Sequence, residues 1–260
     1  MADLTPFSKR IIACRNNRSS NLILAIDPTY GTDDLYTYII NLISKLSPHL
    51  CALKLNLPAL LSLSFNELQK ITESAHNNNL QIIADIKLND IPNTNNLTIQ
   101  YLYNMGFDCI IVNPFIGKCN LKSTVEYAHT LNCGIISLVF MSHEGSNEGF
   151  GATIVDSNKD VPSTSTTSFF YQIFYQNSKH CGVDGIVIGG NKLDILKEIS
   201  SKTKDRLPIY SPGLITQGGD VESAMESGSD YLIIGRAIIN SPDPLYELKT
   251  IHQMVNHYLK

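Results

Sequence analysis

A (β/α)8 barrel, one domain over residues 1–260, is the fold this sequence predicts, on three observations. Short apolar runs rich in β-forming residues recur eight times, and the segments between them carry helical periodicity. Asp27, Lys54, Asp85, Lys87 and Ser142 all fall at or just past the C-terminal end of such a run. In a barrel those ends converge on one mouth, where the active sites of this architecture sit. A length of 260 residues with no visible linker suits one large α/β domain. An open doubly wound sheet also alternates strand and helix, but it does not gather its polar strand ends in this way.

Leu22–Ile26 reads as the first strand, ending on Asp27-Pro28. Leu35, Ile39, Leu42, Ile43 and Leu46 then recur at spacings of three and four, one face of a helix with Asp33 or Asp34 as its N-cap. Cys51–Asn56 is the second strand, and Ser64 or Asn66 caps the helix after it. Gln81–Ile86, Cys109–Asn113 and Gly134–Phe140 continue the series. The Gly-, Ser- and Thr-rich stretch from Gly145 to Thr167 reads as a long irregular loop over the mouth, or a partner-facing excursion. Gly185–Ile188 follows, then a weaker helical repeat at Leu193, Ile195, Leu196 and Ile199. Pro208–Tyr210 and Tyr231–Ile234 complete the eight strands, with a helix over Asp220–Glu226 between them.

With 43% hydrophobic residues the chain can bury a sizeable core, and its mixed composition argues against disorder. A formal charge of -4 gives no reason to expect nucleic acid or an anionic membrane as partner. Six scattered cysteines without a C-x-x-C or a nearby His cluster argue against a disulfide framework or zinc site, and Cys51 and Cys109 read as buried free thiols. The N-terminus lacks the blocks of a secretion signal, and no apolar run is long enough to span a bilayer. The expected setting is a reduced cytoplasm.

Two stretches carry chemistry. The first is Asp85-Ile-Lys-Leu-Asn-Asp90, where two carboxylates bracket one lysine at a strand end. Alternation along a strand puts Asp85 and Lys87 on the same side, while Asp90 lies beyond, where the chain turns toward Pro92. Held between carboxylates, Lys87 stays protonated and is suited to give a proton to a carbanion. Taken alone, the same residues would also make an ordinary salt bridge. Lys54, inside an otherwise apolar strand, is hard to explain as packing, because a lysine is almost never buried unpaired.

The second stretch is Ser211-Pro-Gly-Leu-Ile-Thr-Gln-Gly-Gly-Asp220, followed by Gly235-Arg236. Gly218 and Gly219 precede a helix whose N-terminus would offer bare N–H groups to an anion. Arg236 can add a bidentate guanidinium to the same phosphate. Loops after the seventh and eighth strands are where barrels often build phosphate sites. Asp27 reads as a ligand or a turn cap, Ser142 as a hydroxyl able to read a polar ring edge, and His143 as an ordinary loop histidine.

In order, L-A-I-D, A-L-K-L-N-L-P, D-I-K-L-N-D-I-P-N-T-N, M-S-H-E-G, S-P-G-L-I-T-Q-G-G-D and I-I-G-R resemble the orotidine 5′-monophosphate decarboxylase family, most closely its compact archaeal branch. The likeness runs from about Leu22 to Arg236. It implies a barrel homodimer that converts orotidine 5′-monophosphate to UMP with no metal and no organic cofactor. Under that resemblance Lys87 protonates C6 of the pyrimidine, and Lys54, Asp85 and Asp90 complete an alternating charge network. Asp90 and Thr94 would reach the neighbouring subunit's site. Asp27 would bind the ribose, Ser142 the uracil edge, and Pro212 would belong to a closing loop. Gln217, Gly218, Gly219, Gly235 and Arg236 would hold the phosphate, with Gln217 bridging to the ring. The chain departs from the family at Asn93, where an acid usually stands, and in the length of Gly145–Thr167.

Sugar-phosphate lyases and aldolases of the same superfamily share the D-x-K-x-x-D run but bind magnesium, with a glutamate where Lys54 stands. A lysine there opposes a divalent metal. A catalytically dead nucleotide-binding barrel would be expected to have lost part of the ionic cluster, and a purely structural protein would gather no charge at strand ends; all four charged members are present.

Overall fold

Ten strands follow in chain order in the computed structural model, which describes residues 4–28, 34–157, 165–201 and 206–259. They are β1 (Leu22–Ile26), β2 (Ala52–Asn56), β3 (Gln81–Leu88), β4 (Cys109–Val112), β5 (Gly134–Phe140), β6 (Thr153–Ser157), β7 (Ser165–Phe169), β8 (Gly185–Ile188), β9 (Ile209–Ser211) and β10 (Tyr231–Ile234). All but β6 and β7 form a closed parallel barrel in the order β1–β10–β9–β8–β5–β4–β3–β2. Every residue of β4, β5, β8 and β10 is buried, as expected of parallel strands covered on both faces.

Helices cover the outside: α1 (Pro6–Arg18), α2 (Leu35–Leu46), α3 (Leu57–Ser62), α4 (Phe65–Asn77), α5 (Pro92–Asn104), α6 (Lys118–Thr130), α7 (Ser146–Gly149), α8 (Phe170–Cys181), α9 (Leu193–Ser200), α10 (Val221–Glu226), α11 (Arg236–Ile239) and α12 (Pro244–Val255). Leu35, Ile39, Leu42, Ile43 and Leu46 are the buried face of α2, as their spacing requires. Asp34 caps that helix by accepting from the Thr37 N–H, whereas Asp33 lies outside the described residues. Ser64 caps α4 in a reciprocal box with Glu67, so Asn66 falls inside the helix. None of these helices is long and apolar enough to cross a membrane.

Three sequence expectations needed correction. The stretch from Gly145 to Thr167, expected to be irregular, contains α7 and an antiparallel hairpin in which Thr153 faces Phe169 and Val155 faces Thr167. β-Branched runs on both arms pair with each other instead of joining the barrel. Residues 158–164 lie outside the description. α1 was not anticipated, although Thr5 caps it, Pro6 opens it, and Phe7, Ile11 and Cys14 give it a buried face. Finally, β3 runs past Ile86 to Leu88: between Ala84 and Leu88 its pairing moves only from Ile110 to Val112 on β4, so the strand bulges.

Acids hold the N-terminal end of the barrel. Asp108, Asp184 and Asp230 each stand one residue before a strand, and each carboxylate accepts a backbone N–H at the start of another: Ile82 at 2.9 Å, Ile135 at 2.8 Å and Ile209 at 2.8 Å. Basic side chains complete them: Arg10 and His76 on Asp108, His129 on Asp184, Arg206 on Asp230. Cys51 and Cys109 are buried free thiols, and burial pushes both well above the ordinary thiol pKa.

Candidate active site

At the opposite end, β2 and β3 carry the ionic cluster. Register sets Lys54 between Ala25 of β1 and Ile83 of β3, and sets Asp85 beside Asn56. Lys54 is almost fully buried, and its Nζ lies 2.6 Å from Asp85 Oδ2. The other carboxylate oxygen, Oδ1, lies 2.8 Å from Lys87 Nζ. Burial alone would raise the pKa of Asp85, but the Lys54 and Lys87 ammonium charges and the hydrogen bonds they donate outweigh it and hold the carboxyl below its ordinary value.

Lys87 sits at φ +47°, in the left-handed region that an L-residue enters only at a cost. The strained position coincides with the β3 bulge, so Asp85 and Lys87 share the mouth through an irregular backbone and not through simple alternation.

These side chains line one wall of a cavity of about 310 Å³ at the C-terminal ends of the strands. Its apolar lining is formed by Ala25, Ile111, Leu138, Val187 and Ile233, from β1, β4, β5, β8 and β10. Asp27, half-exposed, accepts a hydrogen bond from the Asn56 amide and lies 4.0 Å from Arg236 Nε. On the far side Ser142 Oγ donates to Gln217 Oε1 at 2.7 Å. Pro212 and Gly235 complete the rim between them. With Lys54, Lys87 and Arg236 set against Asp27 and Asp85, the wall has an excess of positive charge and suits an anionic ligand.

Asp27, Lys54, Asp85, Lys87, Ser142, Pro212, Gln217, Gly235 and Arg236 are thus brought to one cavity. Asp90, Thr94, Gly218 and Gly219 are not on its wall. Asp90 and Thr94 are exposed at the start of α5, where the Asn95 side chain holds both backbone groups of Asp90, at 3.2 and 2.9 Å. At the N-terminus of α10 one N–H is already taken, because the Asp220 carboxylate accepts from Ser223 at 2.7 Å. Gly218 and Gly219 instead close a tight turn, with Gly218 donating to the Ile215 carbonyl and Gly219 to that of Gly213.

Sequence reasoning missed Asn56, although it ends β2 two residues after Lys54, much as Asp27 follows β1. His143, given no role, lies on the wall as an exposed side chain. Among the described residues no group of three or more His, Cys, Asp or Glu side chains is placed to hold a metal ion.

A family model described as "Orotidine 5'-phosphate decarboxylase / HUMPS family" matches residues 20–251. The orotidine 5′-phosphate decarboxylase of Thermoplasma volcanium is 35% identical over 82% of this chain and 85% of its own length. That of Pyrococcus abyssi is 29% identical over 90% of this chain and 98% of its own. Among solved structures, the Methanocaldococcus jannaschii enzyme complexed with the inhibitor BMP superposes with a TM-score of 0.74 at 27% identity, covering 91% of this chain and 99% of that one. The Sulfolobus solfataricus enzyme does so with a TM-score of 0.71 at 26% identity, covering 93% of this chain and 100% of that one.

Proposed function

Because the chain belongs to the orotidine 5′-phosphate decarboxylase/HUMPS family, we propose that it converts orotidine 5′-monophosphate to UMP and CO2 at the C-terminal mouth of the barrel. One observation carries this reading: a single largely buried carboxylate, Asp85, holds the ammonium groups of Lys54 and Lys87 at 2.6 and 2.8 Å on the wall of an anion-suited cavity.

Loss of CO2 from C6 leaves a carbanion in the ring plane that the π system cannot delocalise. Stabilisation is then electrostatic, from a fixed cation in a site poor in water. Lys87 supplies that cation and its Nζ proton passes to C6, while Asp85 holds the ammonium in place. Asp27, steadied by Asn56, takes the ribose hydroxyls. Ser142 and Gln217 meet the uracil edge, and Gln217 with Arg236 and the Gly235 backbone grips the phosphate. Gly218 and Gly219 serve by shaping the turn that presents Gln217. The phosphate is far from the breaking bond, so its binding energy goes into assembling the site.

Two copies complete this reading, with Asp90 and Thr94 entering the neighbouring cavity. Support comes from exposed apolar side chains: Ile91 just before α5, Leu97 and Tyr101 on it, and Leu57 and Leu61 on α3. Mixing inactive Lys87→Ala and Asp90→Asn proteins should restore part of the activity if the site is shared between subunits.

Magnesium-dependent sugar-phosphate lyases are the rival within the family. Lys54, a cation where those relatives carry an acid, favours the metal-free nucleotide reaction. The deciding experiment follows the absorbance change of orotidine 5′-monophosphate with purified protein, with and without EDTA. Full turnover in chelator, abolished in Lys87→Ala with nucleotide binding retained, is expected. Near-normal turnover by Lys87→Ala would overturn the proton-donor role, and loss of activity in EDTA would favour the rival.

A further inference from the structure

Three loops meet beside the cavity: Met141–Gly145 after β5, Gly189–Lys192 after β8 and Pro212–Gly219 after β9. They touch nearly backbone to backbone. A Cβ on Gly189 would stand 2.7 Å from Ser142 Cα. One on Gly213, at φ +83°, would stand 2.4 Å from Ser142 Cβ and 2.8 Å from Gln217 Oε1. One on Gly219 would stand 2.7 Å from the Gly213 carbonyl oxygen and 3.2 Å from the Asn191 nitrogen. No larger side chain fits between these segments.

Asn191 is the polar side chain that spans them. Its Nδ2 donates to the main-chain carbonyl of Ser142 at 2.8 Å and to that of Gln217 at 3.3 Å. Two carbonyl partners fix which end of the amide is nitrogen. The other end, Oδ1, is buried and meets no protein donor among the described residues. Here the amide's nitrogen ties together the two residues whose side chains pair across the cavity rim at 2.7 Å.

We propose that Asn191 is a positioning residue for substrate binding. It fixes the main chain of Ser142 and Gln217 so that the ring-edge contact and the phosphate-gripping loop are held in one arrangement before the ligand arrives. The proposal rests on the function argued above, because that function is what gives Ser142 and Gln217 their ligands. It is distinct from any contact with substrate, since Asn191 is not on the cavity wall.

The test uses three variants of the full chain. Asn191→Ala removes both donors. Asn191→Asp keeps the size and shape but turns an acceptor toward two carbonyl oxygens. Asn191→Ser keeps one donor. Two ordinary hydrogen bonds lost from a preorganised loop correspond to an effect on the order of tenfold. KM for orotidine 5′-monophosphate should therefore rise about tenfold in Asn191→Ala, with kcat within about threefold of wild type. Asn191→Asp should be at least as impaired despite its conserved volume, and Asn191→Ser intermediate.

Amide hydrogen exchange, read without ligand, reports the tie itself. Exchange across residues 213–219 should quicken about tenfold in Asn191→Ala while the barrel strands keep wild-type protection. Wild-type KM and exchange in Asn191→Asp would overturn the proposal, as would a raised KM with unchanged exchange in that loop, or loss of protection throughout the barrel in all three variants. If exchange changes as expected but wild-type protein fails to turn over orotidine 5′-monophosphate, the positioning of the loops stands and the functional reading falls.

Discussion

Comparing Lys87→Gly with Lys87→Ala isolates the backbone strain at the proposed proton donor. Both variants remove the ammonium and its 2.8 Å pair with Asp85, so that loss is common to the two. What differs is a Cβ at φ +47°. An L-residue in the left-handed region is disfavoured by roughly 1–2 kcal/mol, a penalty glycine escapes. Glycine's greater freedom in the unfolded chain takes back roughly 0.5–1 kcal/mol. The net difference is about 1 kcal/mol in favour of glycine, or roughly 2–4 °C in Tm for a chain of this size. Urea unfolding followed by circular dichroism should give Lys87→Gly the higher midpoint at an unchanged slope. Neither variant should decarboxylate substrate. Equal midpoints, or a higher one for Lys87→Ala, would refute strain at residue 87 and with it the idea that the β3 bulge is held against a local cost in order to aim the ammonium.

Arg236→Ala should raise KM for the phosphorylated substrate by roughly 10–100-fold, the worth of one charged hydrogen-bonding group, and change kcat much less in steady-state assays. Asp184→Ala, far from the mouth, should lower the urea-derived stability by about 3 kcal/mol or more, since its carboxylate accepts from Ser8, His129 and the Ile135 N–H, and should leave kcat/KM of the folded protein unchanged. The hydrogen bond to Asp108 raises the His76 pKa above its ordinary value, against burial that lowers it. That contribution is therefore full below about pH 6.5 and lost as pH rises through the folded-state value. His76 is 41% exposed, so the effect should stay under about 1 kcal/mol. It should appear as a fall in urea midpoint as pH rises above about 6.5 that is absent in His76→Ala.

Most of the barrel was legible in the sequence because its strands are buried on both faces and flanked by turn residues, a pattern that needs no tertiary information. Leu22–Ile26, Gly134–Phe140, Gly185–Ile188 and Tyr231–Ile234 have the bounds the sequence suggested. The hairpin at Thr153–Ser157 and Ser165–Phe169 was not legible, since Ser and Thr serve loops and exposed strands alike and only their mutual pairing decides. α1 hid behind a polar composition that leaves few buried positions. At the site, residue types at strand ends were enough to nominate Lys54, Asp85 and Lys87. Nothing local could reveal that Lys87 is strained, because the bulge arises from the register between β3 and β4. Asn191 carries no motif, and its role comes from which loops the fold brings together.

Acid–base pairs occupy both ends of this barrel, and what the acid accepts separates the two sets. Asp108, Asp184 and Asp230 each take a strand's backbone N–H as well as a basic side chain, so each carboxylate closes an otherwise open end of the sheet. Asp85 accepts from Lys54 through one oxygen and Lys87 through the other, neither of them a backbone group. Its two bonds organise cations. A cluster of buried charge adds little net stability, since desolvation offsets most of the attraction. The end that fastens backbone is thus the stabilising end, and the end that fastens two ammonium groups, one of them on the strained Lys87, gives up stability to keep a positive charge fixed in an anion-suited cavity. That is the arrangement needed where negative charge develops during a reaction and must be met without reorganisation.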